Sequence, residues 1–267
     1  MSTASGSRPQ AAAEELARQH AARERSRRLP DEFRPQDMDE AYDAQEAFVR
    51  LRLSGGSPSI AGWKVALTSR VMQQLCGVDQ PAAGCILSDR VHGSGAAIPA
   101  ADWLRVGVES EIAVRLGRDL PPGSAPHDGE SVRAAVSACM PAIEIIDDRD
   151  ADYRELDLLT LVADNAWNGG VVLGREVTDW RSLDLAAMAG RMVINGETVG
   201  EGHGRDVLGH PLESLAWLAN HLNRRGTMLR AGDIVMTGSV VATKWLKQGD
   251  EMSTVFEGLG ESIIRII

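Results

Sequence analysis

The spacing of apolar and polar residues changes character near residue 60. Before it, apolar positions recur at helical intervals. Ala11–Arg25, rich in Ala, Glu and Arg, predicts a helix behind a loose tail from Met1 to Gln10. Pro30 and Pro35 interrupt the pattern. Gln36–Leu53 predicts a second helix, with Met38, Ala41, Tyr42, Phe48, Val49 and Leu53 as its apolar stripe and Gly55 and Gly56 at its end. From Ala61 onward the texture is short strand-like runs separated by Gly, Pro and Asp. "RMVINGETVGEG" predicts a hairpin turning at Asn195-Gly196. "HPLESLAWLANHLNRRG" predicts a helix opened by Pro211, lined by Leu212, Leu215, Leu218 and Leu222, and closed by Gly226. "LRAGDIVMT" and "LKQGDEMST" echo each other as Gly-Asp turns leading into strands, which predicts a meander closing the sheet. Strands dominate without regular helical crossovers, so doubly wound βαβ alternation is not expected.

One strand breaks its own pattern. In "VGVESEIAV", Val106–Val114, the residues Val106, Val108, Ser110, Ile112 and Val114 make a mostly apolar face, and Glu109 and Glu111 share the other. Their attachment points lie about 7 Å apart at ~3.3 Å of rise per residue. Carboxylates that close repel unless water screens them or a cation binds between them. A solvated outer strand face would account for this pair alone. "MPAIEIIDDR", Met140–Arg149, adds Glu144 inside an apolar run. A buried lone carboxylate costs several kcal/mol unless it is paired, neutralised or bound to metal. For Glu144 by itself a pair with Arg149 or Arg115 would serve. Taken together, Glu109, Glu111 and Glu144 make an oxygen set suited to Mg2+ or Mn2+. No His stands at zinc-like spacing among them.

The positive charge is almost all Arg; the lysines are Lys64, Lys244 and Lys247. Lys64 in "AGWKVALTSR" sits among apolar neighbours. It is either a snorkelling strand residue or a proton handler beside a metal, its pKa depressed by desolvation and the cation. Thr68 and Ser69 follow with hydroxyls and turn amides suited to a carboxylate. In "TLVADNAWNGGVVLG", Asp164, Asn165 and Asn168 suit a turn. In "GDIVMTGS", Thr237 and Ser239 end an apolar strand, either capping a loop or binding an acid group.

Composition narrows the class. The chain has 267 residues, 43% hydrophobic and 25% charged, with net charge -10. That balance fits a soluble globular protein and argues against nucleic-acid or anionic-membrane partners. No apolar stretch approaches the ~18 residues of a membrane span. Cys76, Cys85 and Cys139 lack paired spacing, as expected of reduced thiols, and a cytoplasmic protein is the expectation.

These segments, in this order, resemble the fumarylacetoacetate hydrolase superfamily, and within it the 2-keto-4-pentenoate hydratase and 4-oxalocrotonate decarboxylase branch. The resemblance runs from about Asp39 to Ile267 through "AYDAQEAFVRLRL", "GWKVALTS", "VESEIAVRLGRDLP", "PAIEIIDDR", "VADNAWNGGVVLG", "LGHPLESLAWLANHL" and "AGDIVMTGS". It implies an α/β (α+β) fold, a mixed β-sheet roll with peripheral helices. Residues 1–60 form a tail and helical segment packing on a metal-binding catalytic domain at 61–267. It implies a divalent ion, Mg2+ or Mn2+, held by Glu109, Glu111 and Glu144. Lys64 becomes the catalytic proton handler, and Thr68, Ser69, Asn165, Trp167, Thr237 and Ser239 the substrate contacts. The implied activity is hydration of 2-hydroxy-2,4-dienoates (2-oxo-4-enoates) to 4-hydroxy-2-oxo acids through an enolate stabilised at the metal, in a dimer or larger ring of identical chains. Decarboxylation of a 2-oxo-3-enedioate, acylpyruvate hydrolysis with His203 or His210 as base, and an impaired partner subunit are the alternatives. Two positions depart from the branch: Ala82 in "QPAAG", where many hydratases carry an acid, and Trp167, where many carry Ser.

Overall fold

The computed structural model describes residues 7–267, except 55, 57, 124 and 125. Most of the expected tail, and the Gly55 expected to end the second helix, lie outside the described residues. Helix α1 spans Arg8–Ala21 rather than Ala11–Arg25. Pro9 suits a first turn, where a missing N–H goes unneeded. Arg23, in a left-handed conformation at φ 53°, ends the helix. Its N–H donates to His20 O at 3.0 Å and Glu24 N–H to Gln19 O at 2.9 Å, the Schellman closure usually left to glycine. Helix α2 spans Met38–Leu53 and begins after Asp37, whose carboxylate accepts from Glu40 N–H at 2.9 Å.

The remaining elements in chain order are β1 (Ile60–Ala66), α3 (Arg70–Leu75), β2 (Ala82–Leu87), β3 (Val91–Gly93), β4 (Ala96–Ile98), β5 (Val106–Leu116), α4 (Gly129–Arg133) and β6 (Val136–Ile146). Then come α5 (Leu158–Ala163), β7 (Asn168–Leu173), β8 (Ala189–Ile194), β9 (Glu197–His203), α6 (Pro211–Arg224), β10 (Ile234–Ser239), β11 (Lys244–Leu246), β12 (Glu251–Phe256) and β13 (Gly260–Ile266). The larger sheet runs β2-β1-β10-β5-β6-β7-β3, with β11 added beside β5; the smaller runs β4-β13-β12-β8-β9. Parallel pairs (β1 with β10, β3 with β7, β4 with β13) make both sheets mixed. This is the expected mixed α/β architecture.

The main core joins Val114, Ile143 and Val172 of the larger sheet to Met192, Met252 and Ile264 of the smaller, with Leu215, Leu218 and Leu222 of α6. Helices α1 and α2 share a second cluster with Ala163 of α5. Gln45 ties α2 inward, donating to Ala83 O and Val162 O at 2.8 and 2.7 Å. Asn195 and Gly196 turn the β8–β9 hairpin with φ of 52° and 84°, as their identities predict. Pro211 opens α6, and Gly226 closes it at φ 76°. The two Gly-Asp echoes do turn alike, at Gly232 and Gly249 (φ 94° and 93°), but they do not form one meander. Strand β10 is buried on both faces in the centre of the larger sheet, whereas β12 alternates buried and open positions in the smaller. No described helix is long and apolar enough to cross a membrane.

Candidate metal centre

Strands β5 and β6 pair antiparallel with Glu109 directly opposite Glu144 and Glu111 opposite Ala142. Opposed residues, and residues two apart, share a face of a pleated sheet, so this register gathers the three acids. One oxygen from each lies within 4.8 Å of the others. Glu111 and Glu144 are wholly buried, and Glu109 is partly exposed. The solvated strand face is thereby excluded.

A different donor holds each carboxylate. Thr243 Oγ1–H donates to Glu109 Oε1. Gly238 N–H donates to Glu111 Oε2 at 2.7 Å. That amide is free because pairing of β10 with β5 slips between Met236 and Ser239, a bulge that turns one N–H out of the ladder. Gly238 sits at φ 122°, where a Cβ would come within 2.4 Å of Thr68 Oγ1. Asn168 Nδ2–H donates to Glu144 Oε1 at 2.8 Å. On the same oxygen, Lys64 Nζ lies 3.2 Å away with its side chain 3% exposed. Lys64 is therefore no snorkelling residue, and Glu144 pairs with neither arginine considered from the sequence. Arg149 pairs with Asp164 and Arg115 with Glu176.

The site is acid-rich for its depth. Burial and the charge of Glu144 raise the carboxyl of Glu109 above its ordinary range. Burial, then Glu144 and Glu109, raise that of Glu111 well above it. Burial disfavours a charged Lys64, but Glu144, Glu109 and Glu111 outweigh it, and its amine is held above the usual lysine range. The depression expected from the sequence is for an amine beside a bound cation; without the ion, the three acids around the amine set its direction. Two buried oxygens, Glu111 Oε1 and Glu144 Oε2, have no donor. Oxygens bound to one ion at 2.0–2.6 Å lie within about 5 Å of each other, and an all-carboxylate set suits a hard ion. The residues fit a divalent cation.

The other expected contacts divide. Thr68 and Thr237 flank the Gly238 bulge beside Glu111, both buried, with Thr237 Oγ1–H donating to Ile112 O at 2.7 Å. Ser239 Oγ–H donates to Val241 O at 2.6 Å. Ser69 caps α3, accepting from Met72 N–H at 3.3 Å. Asn165 accepts from Cys85 N–H at 2.7 Å and donates to Cys85 O at 2.9 Å, so both ends of its amide hold β2. Trp167 packs with Ile146, Ala151 and Leu161, its ring edge-on to Tyr153 at 5.7 Å. Asn165, Ala166 and Trp167 are all left-handed, at φ 54°, 47° and 56°. For Ala166 and Trp167 this costs roughly 1–2 kcal/mol each, offset by the packing around them; Asn165 tolerates it. Gly84 lets this turn close on β2: a Cβ there would lie 2.7 Å from Asn165 O. His210 is occupied as the α6 cap, its Nδ1 accepting from Leu212 N–H at 3.0 Å, and His203 lies at the end of β9 in the smaller sheet.

Residues 73–267 match the family described as fumarylacetoacetate (FAA) hydrolase C-terminal. The chain belongs to the fumarylacetoacetate hydrolase family. It is 37% identical over 232 residues to 2-keto-4-pentenoate hydratase 1 of Dechloromonas aromatica, covering 87% of each chain. It is 33% identical over 228 residues to a 4-oxalocrotonate decarboxylase of Pseudomonas putida, covering 85% of each. Among solved structures, the 4-oxalocrotonate decarboxylase of Pseudomonas putida G7 complexed with magnesium and adipate superimposes with a TM-score of 0.90 at 29% identity, over 100% of both chains. Thr243, Asn168 and the Gly238 amide, which hold the three acids, were not singled out as site groups in the sequence. Asn168 had one signal there, a polar residue three before the apolar run of β7.

Proposed function

We propose that this protein is a divalent-metal-dependent hydratase that adds water to 2-hydroxy-2,4-dienoates and yields 4-hydroxy-2-oxo acids. The observation that carries this reading is Lys64 Nζ, buried 3.2 Å from Glu144 within a carboxylate triad that keeps two undonated oxygens. Glu109, Glu111 and Glu144 would hold Mg2+ or Mn2+. When bound, such an ion supplies the positive charge that steadies the enolate form of a 2-oxo acid. The chain's own residues supply proton transfer and position. A proton delivered at C5 of the dienol, with loss of the 2-hydroxyl proton, gives a 2-oxo-3-enoate whose C4 is electrophilic. Water adds there, and a proton goes to C3. Lys64 Nζ, buried beside Glu144, is the group assigned to carry these protons. Beside the Gly238 bulge, whose N–H serves Glu111 and whose neighbour Thr237 donates to Ile112 O, the Thr68 hydroxyl is the donor assigned to the substrate's carboxylate end. Trp167 puts a bulky apolar ring where many hydratases of the branch carry Ser.

Decarboxylation of a 2-oxo-3-enedioate is the second reading, favoured by the full-length superposition on the Pseudomonas putida G7 decarboxylase. The same enolate would follow loss of CO2. The chain incubated with Mg2+ and 2-hydroxypenta-2,4-dienoate should bleach the dienoate absorbance and take up 18O from labelled water. CO2 release from a 2-oxo-3-enedioate without water uptake would favour the second reading, and inactivity on both would sink the enzyme assignment. Assembly into a dimer or larger ring belongs to the same proposal, and light scattering checks it.

A further inference from the structure

A second cavity, of about 510 Å3, opens where α1 and α2 meet the roll. Lys64 and the three acids lie outside it, and Asn168 forms part of its wall. Phe48, Leu87 and Trp103 give it an apolar lining, and three arginines reach it: Arg52, Arg90 and Arg23, whose guanidinium donates to Ala101 O at 2.6 Å. Arg52 and Arg90 are half-buried, and among the described residues neither has an ion-pair partner within 4.0 Å. Burial, and then the charge of Arg90, work against the charge on Arg52, so the two cations are close enough to repel. Asp89, Asp147 and Asp164 favour the charge on Arg52 but do not outweigh these two causes, and none lies within 4.0 Å of either guanidinium. Asp164 is bound to Arg149 at 2.8 Å and His20 at 2.7 Å. Asp102 is exposed, and burial raises the carboxyl of Asp147 above its ordinary range. Two guanidiniums without ion-pair partners, beside an apolar wall, suit an acceptor-bearing anion.

We infer that this cavity binds a small organic carboxylate with an apolar body, its carboxylate between Arg52 and Arg90. The site is separate from the metal centre and does not rest on the hydratase reading. Because Asn168 belongs to both, an occupant bears on the side chain that holds Glu144.

Benzoate is the probe, titrated by calorimetry into the full chain with Mg2+ and oxalate saturating the metal centre. One benzoate should bind per chain and quench the tryptophan fluorescence. Arg52→Gln with Arg90→Gln should weaken it at least about tenfold while leaving Mn2+ affinity unchanged. Neutral benzamide should bind wild-type protein at least about tenfold more weakly than benzoate, a comparison that needs no variant. Displacement of benzoate by oxalate, equal binding of benzamide, equal binding of inorganic phosphate, or undiminished binding to the double variant would each overturn the inference. Failure of oxalate to bind with Mg2+ would instead count against the metal centre and leave the benzoate result interpretable.

Discussion

Replacing Asn168 with Ala tests whether the groups behind the acids build the site. Its Nδ2–H donates to Glu144 Oε1 at 2.8 Å, and Lys64 Nζ stands 3.2 Å from the same oxygen. In the absence of an ion, the two cooperate in satisfying a wholly buried carboxylate. Without the amide, Glu144 can swing fully onto Lys64, and an ion must compete with that pair. A hydrogen bond to a charged group contributes about 1.5–3 kcal/mol. Loss of a residue supporting a metal ligand typically costs about 10–100-fold in affinity, or about 1.4–2.8 kcal/mol. The two scales agree, so Asn168→Ala should weaken Mn2+ binding by one to two orders of magnitude in a calorimetric titration. Its melting temperature without metal should change little, because Lys64 takes up the oxygen that the amide releases. Unchanged Mn2+ affinity in a folded variant would refute the reasoning, since Glu144 would then be oriented by something else.

Three further outcomes are expected. Glu111→Gln should raise the stability of the metal-free protein by about 1–3 kcal/mol, because a buried like charge is removed, and should abolish the rise in melting temperature on adding Mg2+; a less stable variant would show that Glu111 is already satisfied. Burial, with Arg224 and Arg225 nearby, pushes the pKa of His221 down to about 4. The unfolded chain takes up this proton near 6.5, so stability falls as pH drops between the two values, by roughly 3 kcal/mol, and His221 adds no further loss below them. His221→Phe keeps a ring against Trp217 and Tyr42 and should flatten that slope in denaturant titrations across the range; a persisting slope would assign it to another group. Gly84→Ala drives a Cβ to within 2.7 Å of Asn165 O and should cost about 1–3 kcal/mol by overpacking while loosening Mn2+ binding through the displaced turn; wild-type stability would mean the turn yields freely.

The acids were legible because a strand has a two-residue repeat. Glu109 and Glu111 had to share a face, and Glu144 could not be exposed among Ile143 and Ile145. That they face one another depends on register, Glu109 opposite Glu144, which no local pattern specifies. The supporting donors were hidden for a similar reason. Asn168 and Thr243 look like ordinary turn and loop residues, and the Gly238 amide becomes a ligand only through a bulge in β10. Asn165 carried the same polar signal as Asn168 but serves Cys85. The Lys64 environment was half legible, since its apolar neighbours lie along the chain while the acids that raise its pKa lie across the sheet. The Gly-Asp echo misled because its turns are local, whereas the sheet each strand joins is decided by how many of its faces are buried.

The central claim is that Glu109, Glu111 and Glu144 together hold one divalent ion. Calorimetric titration of the metal-free chain with Mn2+, repeated on Glu109→Gln, Glu111→Gln and Glu144→Gln, addresses it directly. One ion should bind per chain, and each substitution alone should remove that binding while the far-ultraviolet circular dichroism stays unchanged. Wild-type Mn2+ affinity in any of the three folded variants would contradict it.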